Sequence, residues 1–393
     1  MLIGLVGKPN VGKSTFFKAA TLSDVLIANY PFATIKPNHG MAYVKIRDLA
    51  AEFGKVSNPR EGYVKDGWRF VPVELFDVAG LVEGASEGKG LGNRFLDDLA
   101  GVDAFIHVVD VSGETDASGK QTENYDPSKD IIFIERELDL WYLGILKKAW
   151  VVLMRGMEMQ KAQFAKTVAK QFSGLKVTED DVNYVVLHEK LDILKPSSWT
   201  DKELMRFAHA LRVHTKPMII AANKVDTKRG KDNYDKLRDS FSKIIMTPCS
   251  ADSELALRQA DNAGLIDYIP GERDFKILKQ PSEKQKDALD NIRNILKIFL
   301  EGTGVQAVLN GVVFNLLKYI AVFPAGAKME DSKGNVLPDC FLMPPGSTAL
   351  DFAYRLHTDI GNNFVKAIDI RTKKGVGKDY VLKHMDGLEI LTR

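Results

Sequence analysis

Gly7-Lys-Pro-Asn-Val-Gly12-Lys13-Ser14 comes directly after the apolar run Leu2-Ile-Gly-Leu-Val6 and directly before Thr15-Phe-Phe-Lys-Ala-Ala20. The stretch fits G-x-x-x-x-G-K-[ST] and sits where that pattern has physical meaning, between a buried strand and the start of a helix. The glycines let backbone N–H groups wrap phosphate oxygens, Lys13 supplies a point charge to the β- and γ-oxygens, and the Ser14 hydroxyl takes a Mg²⁺ position. The phosphate-binding set read from this loop is Gly7, Asn10, Val11, Gly12, Lys13, Ser14 and Thr15.

The runs 71–76, 104–110 and 217–222 share the character of 2–6: short, β-rich, nearly continuous in apolar residues and closed by a glycine or a polar residue. Strands of a parallel sheet buried on both faces look like this. Helical stretches alternate with them, which predicts an open α/β sheet whose ligands bind at the carboxyl ends of the strands. Asp77-Val-Ala-Gly80 closes one inner strand, where Asp77 can hold Mg²⁺ through water and the Gly80 N–H can sense a γ-phosphate. Five glycines from 80 to 92 make the next segment pliable, as a loop ordered by a γ-phosphate must be. Asn223-Lys224-Val225-Asp226 ends another strand, and Ser250-Ala251 follows the apolar run 244–246. A carboxylate at Asp226 accepts from guanine N1–H and the 2-amino group together, and the Ala251 N–H can donate to O6. Adenine offers no such donor pair.

The chain has 393 residues, 45% hydrophobic and 27% charged, which predicts two or three globular units. A net charge of +2 gives no overall field for nucleic acid or membrane, so any RNA contact must use a local patch and no DNA contact is expected. Two cysteines, Cys249 and Cys340, make no disulfide framework or zinc site, and the seven histidines show no ligand spacing. The apolar start lacks a basic flank and no tract reaches a membrane span, which predicts a soluble protein of the reducing cytoplasm.

Between the strand ending near Ser112 and the one starting at Pro217 there is room for far more than one crossover helix. Ile134, Leu138, Trp141, Ile145, Ala149 and Val152 form the stripe of a long amphipathic helix, and 158–172 and 178–194 read as further helices. The segment 113–127 before them is polar and turn-rich, which predicts a mobile connector. Trp141 and Trp150 read as core. Near the carboxyl end, 319–323, 365–370 and 388–392 read as strands, and 349–360 as a helix with Thr348 and Asp351 at capping-box spacing.

The phosphate loop, D-x-x-G, N-K-x-D and S-A in this order resemble a translation-factor-type GTPase. Tyr30-Pro-Phe-Ala-Thr-Ile-Lys-Pro-Asn38, Asp77-Val-Ala-Gly-Leu-Val-Glu-Gly-Ala-Ser86 and Gly90-Leu-Gly-Asn93 are similar to the Obg group and, within it, the YchF-like branch. Leu342-Met-Pro-Pro-Gly-Ser-Thr-Ala-Leu-Asp-Phe-Ala-Tyr354, His357-Thr-Asp-Ile-Gly361 and Ala367-Ile-Asp-Ile-Arg371 resemble a TGS domain. The resemblance implies an α/β P-loop GTPase domain with an inserted helical domain and a C-terminal ubiquitin-like β-grasp TGS domain. The divisions read from the chain are 1–114 and 206–316 for the G domain, 115–205 for the insertion and 317–393 for the TGS domain. The resemblance also makes Thr34 the switch threonine that reaches Mg²⁺ and the γ-phosphate. The catalytic set is then Lys13, Thr34 and Gly80, the metal set Ser14, Thr34 and Asp77, and the base-reading set Asn223, Lys224, Asp226, Ser250 and Ala251.

YchF proteins proper depart from N-K-x-D and accept ATP, whereas this chain keeps Asp226. It therefore looks like a GTP-using sister of that branch, with GTP/GDP and Mg²⁺ as expected ligands. Leu81 stands where many GTPases carry the glutamine that orients the attacking water, and leucine cannot hydrogen-bond water. Similar GTPases lacking that glutamine hold K⁺ with an asparagine in the phosphate loop. Asn10 admits that role or the plainer one of tolerating the loop's backbone conformation.

Lys147, Lys148, Arg155, Lys161, Lys166, Lys170 and Lys176 face only Glu158 in their stretch, and Arg371, Lys373, Lys374 and Lys378 add a second basic turn. These are either solvated faces or contacts for RNA phosphates, with the ribosome or a structured RNA as partner. The expected activity is Mg²⁺-dependent GTP hydrolysis in a ribosome-associated switch. The alternatives are an ATP-hydrolysing YchF-like NTPase, a nucleotide or small-molecule kinase, and an RNA- or protein-binding adaptor with structural nucleotide.

Overall fold

The computed structural model describes residues 1–21, 39–77, 100–156, 161–193, 195–326 and 328–393. The first strand, β1 (Leu2–Val6), leads through the glycine loop into α1 (Lys13–Thr21). β2 (His39–Arg47), β3 (Tyr63–Lys65) and β4 (Trp68–Asp77) follow, then β5 (Ala104–Asp110). Four helices come next: α2 (Ser128–Gly156), α3 (Lys161–Gln171), α4 (Glu179–His188) and α5 (Asp201–Thr215). The sheet resumes with β6 (Met218–Asn223), α6 (Gly230–Ser240), β7 (Met246–Cys249) and α7 (Ala251–Asn262). A small hairpin, β8 (Ile266–Tyr268) and β9 (Phe275–Ile277), precedes α8 (Glu283–Ile298) and α9 (Val305–Asn310), which continues as a π-turn over Gly311–Leu316.

The main sheet has seven strands in the order β2-β4-β1-β5-β6-β7, with β3 paired to β4. From β4 to β7 the strands are parallel, and β2 and β3 run antiparallel to β4. Ile3, Leu5, Ile106, Val108 and Ile219 are fully buried, each worth about 1.5–3 kcal/mol relative to exposure. The run starting at Pro217 becomes a strand one residue later, because proline has no N–H for the ladder.

α2 to α5 enclose their own core around Tyr142, Phe164, Val168, Phe207 and Leu211. Trp150 packs against Phe164 and Trp199 in it, and Trp141 lies edge-on to Tyr142, so both tryptophans serve packing. α5 is one helix capped by Thr200 with Glu203, so residue 205 lies within it. The helix read over 178–194 is shorter, because Lys190 turns into the left-handed region at φ 53° after His188.

The C-terminal sheet comprises β10 (Ile320–Pro324), β11 (Phe341–Met343), β12 (Phe364–Asp369), β13 (Gly375–Val376) and β14 (Asp386–Thr392) in the order β11-β10-β14-β12-β13. The helix read over 349–360 is two: α10 (Ala349–Leu356) and α11 (Thr358–Asn362). Between them His357 is extended, and its ring accepts the Asp359 N–H as the second helix's cap. The capping box of Thr348 and Asp351 is present.

This sheet is joined to the first through one continuous core in which Leu49, Ala50, Phe323, Leu337 and Ile370 take part. Arg69 of β4 is 1% exposed and donates to the Leu337 and Pro338 carbonyls at 2.5 and 2.9 Å. Glu52 accepts two bonds from Arg371 at 2.7 and 2.9 Å. Among the described residues no helix is long and apolar enough to cross a membrane.

Candidate functional site

The site forms at the carboxyl ends of β1, β4, β5 and β6. Gly12 has φ +89°, and a Cβ there would collide with the Asn223 amide, so only glycine fits between the loop and β6. Lys13 opens α1 and its Nζ pairs with Asp77 Oδ1, while the Ser14 hydroxyl donates to Asp77 Oδ2 at 3.2 Å. Parallel pairing sets this meeting: Leu5 lies opposite Asp77, placing the β4 carboxylate beside the loop that leaves β1. One hydroxyl and one carboxylate next to a phosphate cradle suit Mg²⁺, which keeps several waters and takes few protein oxygens. Gly7 and Val11 are buried in the loop, and Thr15 is half-buried behind it.

Asn223, at the end of β6, is 3% exposed. Its Nδ2 donates to the Val11 carbonyl at 2.9 Å and its Oδ1 accepts the Ala251 N–H at 3.0 Å. Asn223 is thus a clamp between the phosphate loop and the α7 start. The Ala251 N–H assigned to guanine O6 is engaged with Asn223 here, so reading O6 requires that bond to be shared or exchanged. Ser250 donates its N–H to the Thr303 carbonyl at 2.8 Å and its hydroxyl to Ser253. Asp226 is exposed.

Lys224 donates to the Asn10 carbonyl at 3.2 Å and to Asp110 Oδ2 at 2.7 Å. Burial pushes the Asp110 carboxyl up, but bonds from Lys224, Ser112 and Thr115 outweigh it and hold it below the usual range. Asn10 has φ 63° and donates its Nδ2 to the Gly119 carbonyl at 2.9 Å. Its conformation fits the plainer role, and the bond orients the amide so that Oδ1 remains for another partner.

The segment 113–127, expected to be a mobile connector, is instead fixed against the loop. Thr115 and Gly119 accept bonds from Lys8 and Asn10, and Tyr125 donates to Asp130. Lys8, Thr115, Tyr125 and Asp130 were not read from the sequence, because they occupy the variable positions of the motif or lie far from it. A second unread group stands behind Ser250. Glu254 is fully buried and accepts from Arg258, Tyr268 and Thr303 at 2.9, 2.8 and 2.5 Å.

Thr34, Gly80 and Leu81 lie outside the described residues. Among the described residues no group of three or more histidine, cysteine or carboxylate side chains could hold a metal ion. In the basic stretch Lys148, Lys166 and Lys170 are exposed, while Lys147 pairs with Asp201 and Lys176 with Asp103. In the second patch Arg371 is committed to Glu52, leaving Lys373, Lys374 and Lys378 exposed.

A parallel sheet that carries a phosphate loop, an aspartate on the adjacent strand end and N-K-x-D two strands away defines a P-loop GTPase-type nucleotide-binding protein. Three family models agree with that class: 50S ribosome-binding GTPase over residues 2–137, Obg-like GTPase YGR210-like, G4 motif-containing domain over 221–326, and TGS domain over 319–392. The chain belongs to the Obg/YchF-like GTP-binding proteins with a C-terminal TGS domain. It is 47% identical over 395 residues to an uncharacterized GTP-binding protein of Methanocaldococcus jannaschii, covering 100% of this chain and 99% of that one. It is 28% identical over 411 residues to the ribosome-binding ATPase YchF of Escherichia coli O157:H7, covering 99% and 98%. The crystal structure of a GTP binding protein from Pyrococcus horikoshii OT3 matches with a TM-score of 0.80 at 39% identity, covering 100% of both chains.

Proposed function

We propose that this protein binds GTP with Mg²⁺, hydrolyses it to GDP and phosphate, and acts as a nucleotide-dependent switch on the ribosome or a structured RNA in the cytoplasm. The observation that carries the reading is the exposed Asp226 carboxylate beside Asn223, which ties the phosphate loop to the Ser250-Ala251 turn. A carboxylate there accepts two guanine donors at once. In this reading Lys13 leaves Asp77 for the β- and γ-oxygens. Ser14, Thr34 and, through water, Asp77 would hold Mg²⁺. That ion supplies charge neutralisation on the phosphates. Gly80 would sense the γ-phosphate, and Asn10 Oδ1 would face K⁺, whose charge beside the phosphates would aid hydrolysis where Leu81 cannot orient the attacking water. The helical insertion, which runs on to the end of α5, and the 317–393 TGS domain would carry the RNA contacts.

Relatives named ribosome-binding ATPase support a ribosomal partner, and they also support ATP as the rival nucleotide. Titration calorimetry with GTP and ATP, with Mg²⁺ present, separates the two. Losing a charge-assisted pair of hydrogen bonds costs roughly 3 kcal/mol, so ATP should bind about a hundredfold more weakly. Equal affinities would overturn guanine selectivity, and absence of phosphate release with GTP, alone or with ribosomes, would overturn hydrolysis.

A further inference from the structure

We propose that Lys8 is a positioning residue through which the helical insertion sets how firmly the phosphate loop holds nucleotide. The inference rests on the nucleotide-binding reading above. Lys8 is the second residue of the loop, yet its side chain is 1% exposed and reaches the first turn of α2. Its Nζ lies 2.8 Å from Asp130 Oδ2, donates to the Thr115 carbonyl at 2.8 Å and sits 4.0 Å above the Tyr125 ring. The Tyr125 hydroxyl donates to Asp130 Oδ1 at 2.9 Å, which fixes the carboxylate. Asp130 is also in the first turn, where the helix's positive end favours it.

The grip extends along the loop. Asn10 is held by Gly119 on its side chain and by Lys224 on its carbonyl. Gly119 has φ +80°, and a Cβ there would stand 2.6 Å from the Pro9 carbonyl, so backbone meets backbone. Residues 8–10 are therefore backed by one segment that runs from Asp110 directly into α2. The far end of the insertion is fastened in a similar way. Lys216, just past α5 and 1% exposed, donates to the Ala100 and Val102 carbonyls. With both ends fixed by buried lysines, tilting the helices must strain these links or move the loop. By linkage, whatever nucleotide does to the insertion the insertion does to nucleotide affinity.

The test is release of a fluorescent mant-GDP from the full chain by stopped flow, with melting followed by circular dichroism. Asp130→Asn keeps the shape of the insertion side and removes its charge. It should speed release about tenfold, as should Lys8→Met. The double variant should match the single ones, since both sever one link. Phe207→Leu, in the insertion core, should lower the melting temperature and leave release unchanged. Tyr125→Phe frees Asp130 without a charge change and should speed release severalfold, which keeps the test decisive if the charge variants do not fold. Release at the parent rate in Asp130→Asn and Tyr125→Phe overturns the proposal, as does release that simply follows melting in Phe207→Leu. A parent chain that binds no mant-GDP overturns the nucleotide reading, and this proposal with it.

Discussion

His107 makes the core of the sheet sensitive to acid. It lies in the middle of β5 between Val6 and Ile220, is fully buried, and neither ring nitrogen has a partner among the described residues. Burial, and then the nearby Lys8 cation, push its pKa down from 6.5 to about 3. A histidine whose folded value lies below its free value stays neutral in the folded chain and takes up a proton on unfolding. Its contribution is intact above pH 6.5 and is lost as pH falls toward 3, at up to about 1.4 kcal/mol per pH unit. Between pH 7 and pH 4.5 the loss comes to about 3 kcal/mol. His107→Leu removes the titration and nearly keeps the volume, at a repacking cost of less than about 1.5 kcal/mol. Urea unfolding of both proteins at the two pH values isolates the term, because every other titrating group is shared. The parent should lose about 3 kcal/mol more than the variant on acidification. Parallel losses in the two would mean that His107 is solvated or protonated in the folded chain, and the argument from burial would fail.

Three further outcomes follow from the site. Asp226→Asn should weaken GTP binding about a hundredfold and improve binding of xanthosine triphosphate, whose C2 carbonyl accepts where guanine donates; calorimetry with both nucleotides reads the exchange. K⁺ should accelerate GTP turnover more than Na⁺ at equal ionic strength, and Asn10→Ala should abolish the difference while nucleotide affinity holds; a rate indifferent to the ion in the parent removes that role from Asn10. Reversing Lys161, Lys166 and Lys170 to Glu should weaken co-sedimentation with ribosomes and flatten its salt dependence, with GTP affinity unchanged. Undiminished co-sedimentation would make the stretch a solvated helix face.

The parts of the fold and site that were legible are those whose physics is contiguous. The strand 2–6, the loop after it and the helix it starts are one local unit, and the same holds for the strand ends at Asp77 and Asn223. Parallel strands buried on both faces announce themselves by apolar runs, whereas β2 and β3 lie at the antiparallel edge and mix Lys45 and Arg47 with apolar residues. The break at His357 was missed because nothing in an amphipathic stripe shows a ring about to cap the next helix. Lys8 with Thr115, and Glu254 with Thr303, are 107 and 49 residues apart, and no periodicity links such partners before the sheet order is known. The polar composition of 113–127 points to water and hence to mobility, but its carbonyls accept from the loop, Thr115 bonds to Asp110, and Ser118 and Lys120 bond to Asp116.

Among the described residues three lysine–aspartate pairs surround the loop, and burial distinguishes them. Lys8 with Asp130 is 1% and 3% exposed, so breaking it leaves a charge cut off from water at a cost of about 3–5 kcal/mol. That pair can only be a fixed strut. Lys224 with Asp110 has its carboxylate fully buried and its cation 30% exposed; the carboxylate has other donors in Ser112 and Thr115, and the lysine reaches from the end of β6 to both Asp110 on β5 and the Asn10 carbonyl. In the proposed reading it sets the distance between the base-reading end and the phosphate-reading end. Lys13 with Asp77 is 10% and 15% exposed, on the face where the proposed reading seats phosphate. A polyphosphate offers Lys13 more negative charge than one carboxylate does, and Asp77, once released, keeps the Ser14 hydroxyl as its neighbour and is ready for a cation. Of the three pairs this is the one whose exchange leaves both partners solvated or re-paired. In the proposed reading the chemistry therefore belongs at Lys13 and Asp77, while the two pairs behind them would hold the loop still during the exchange.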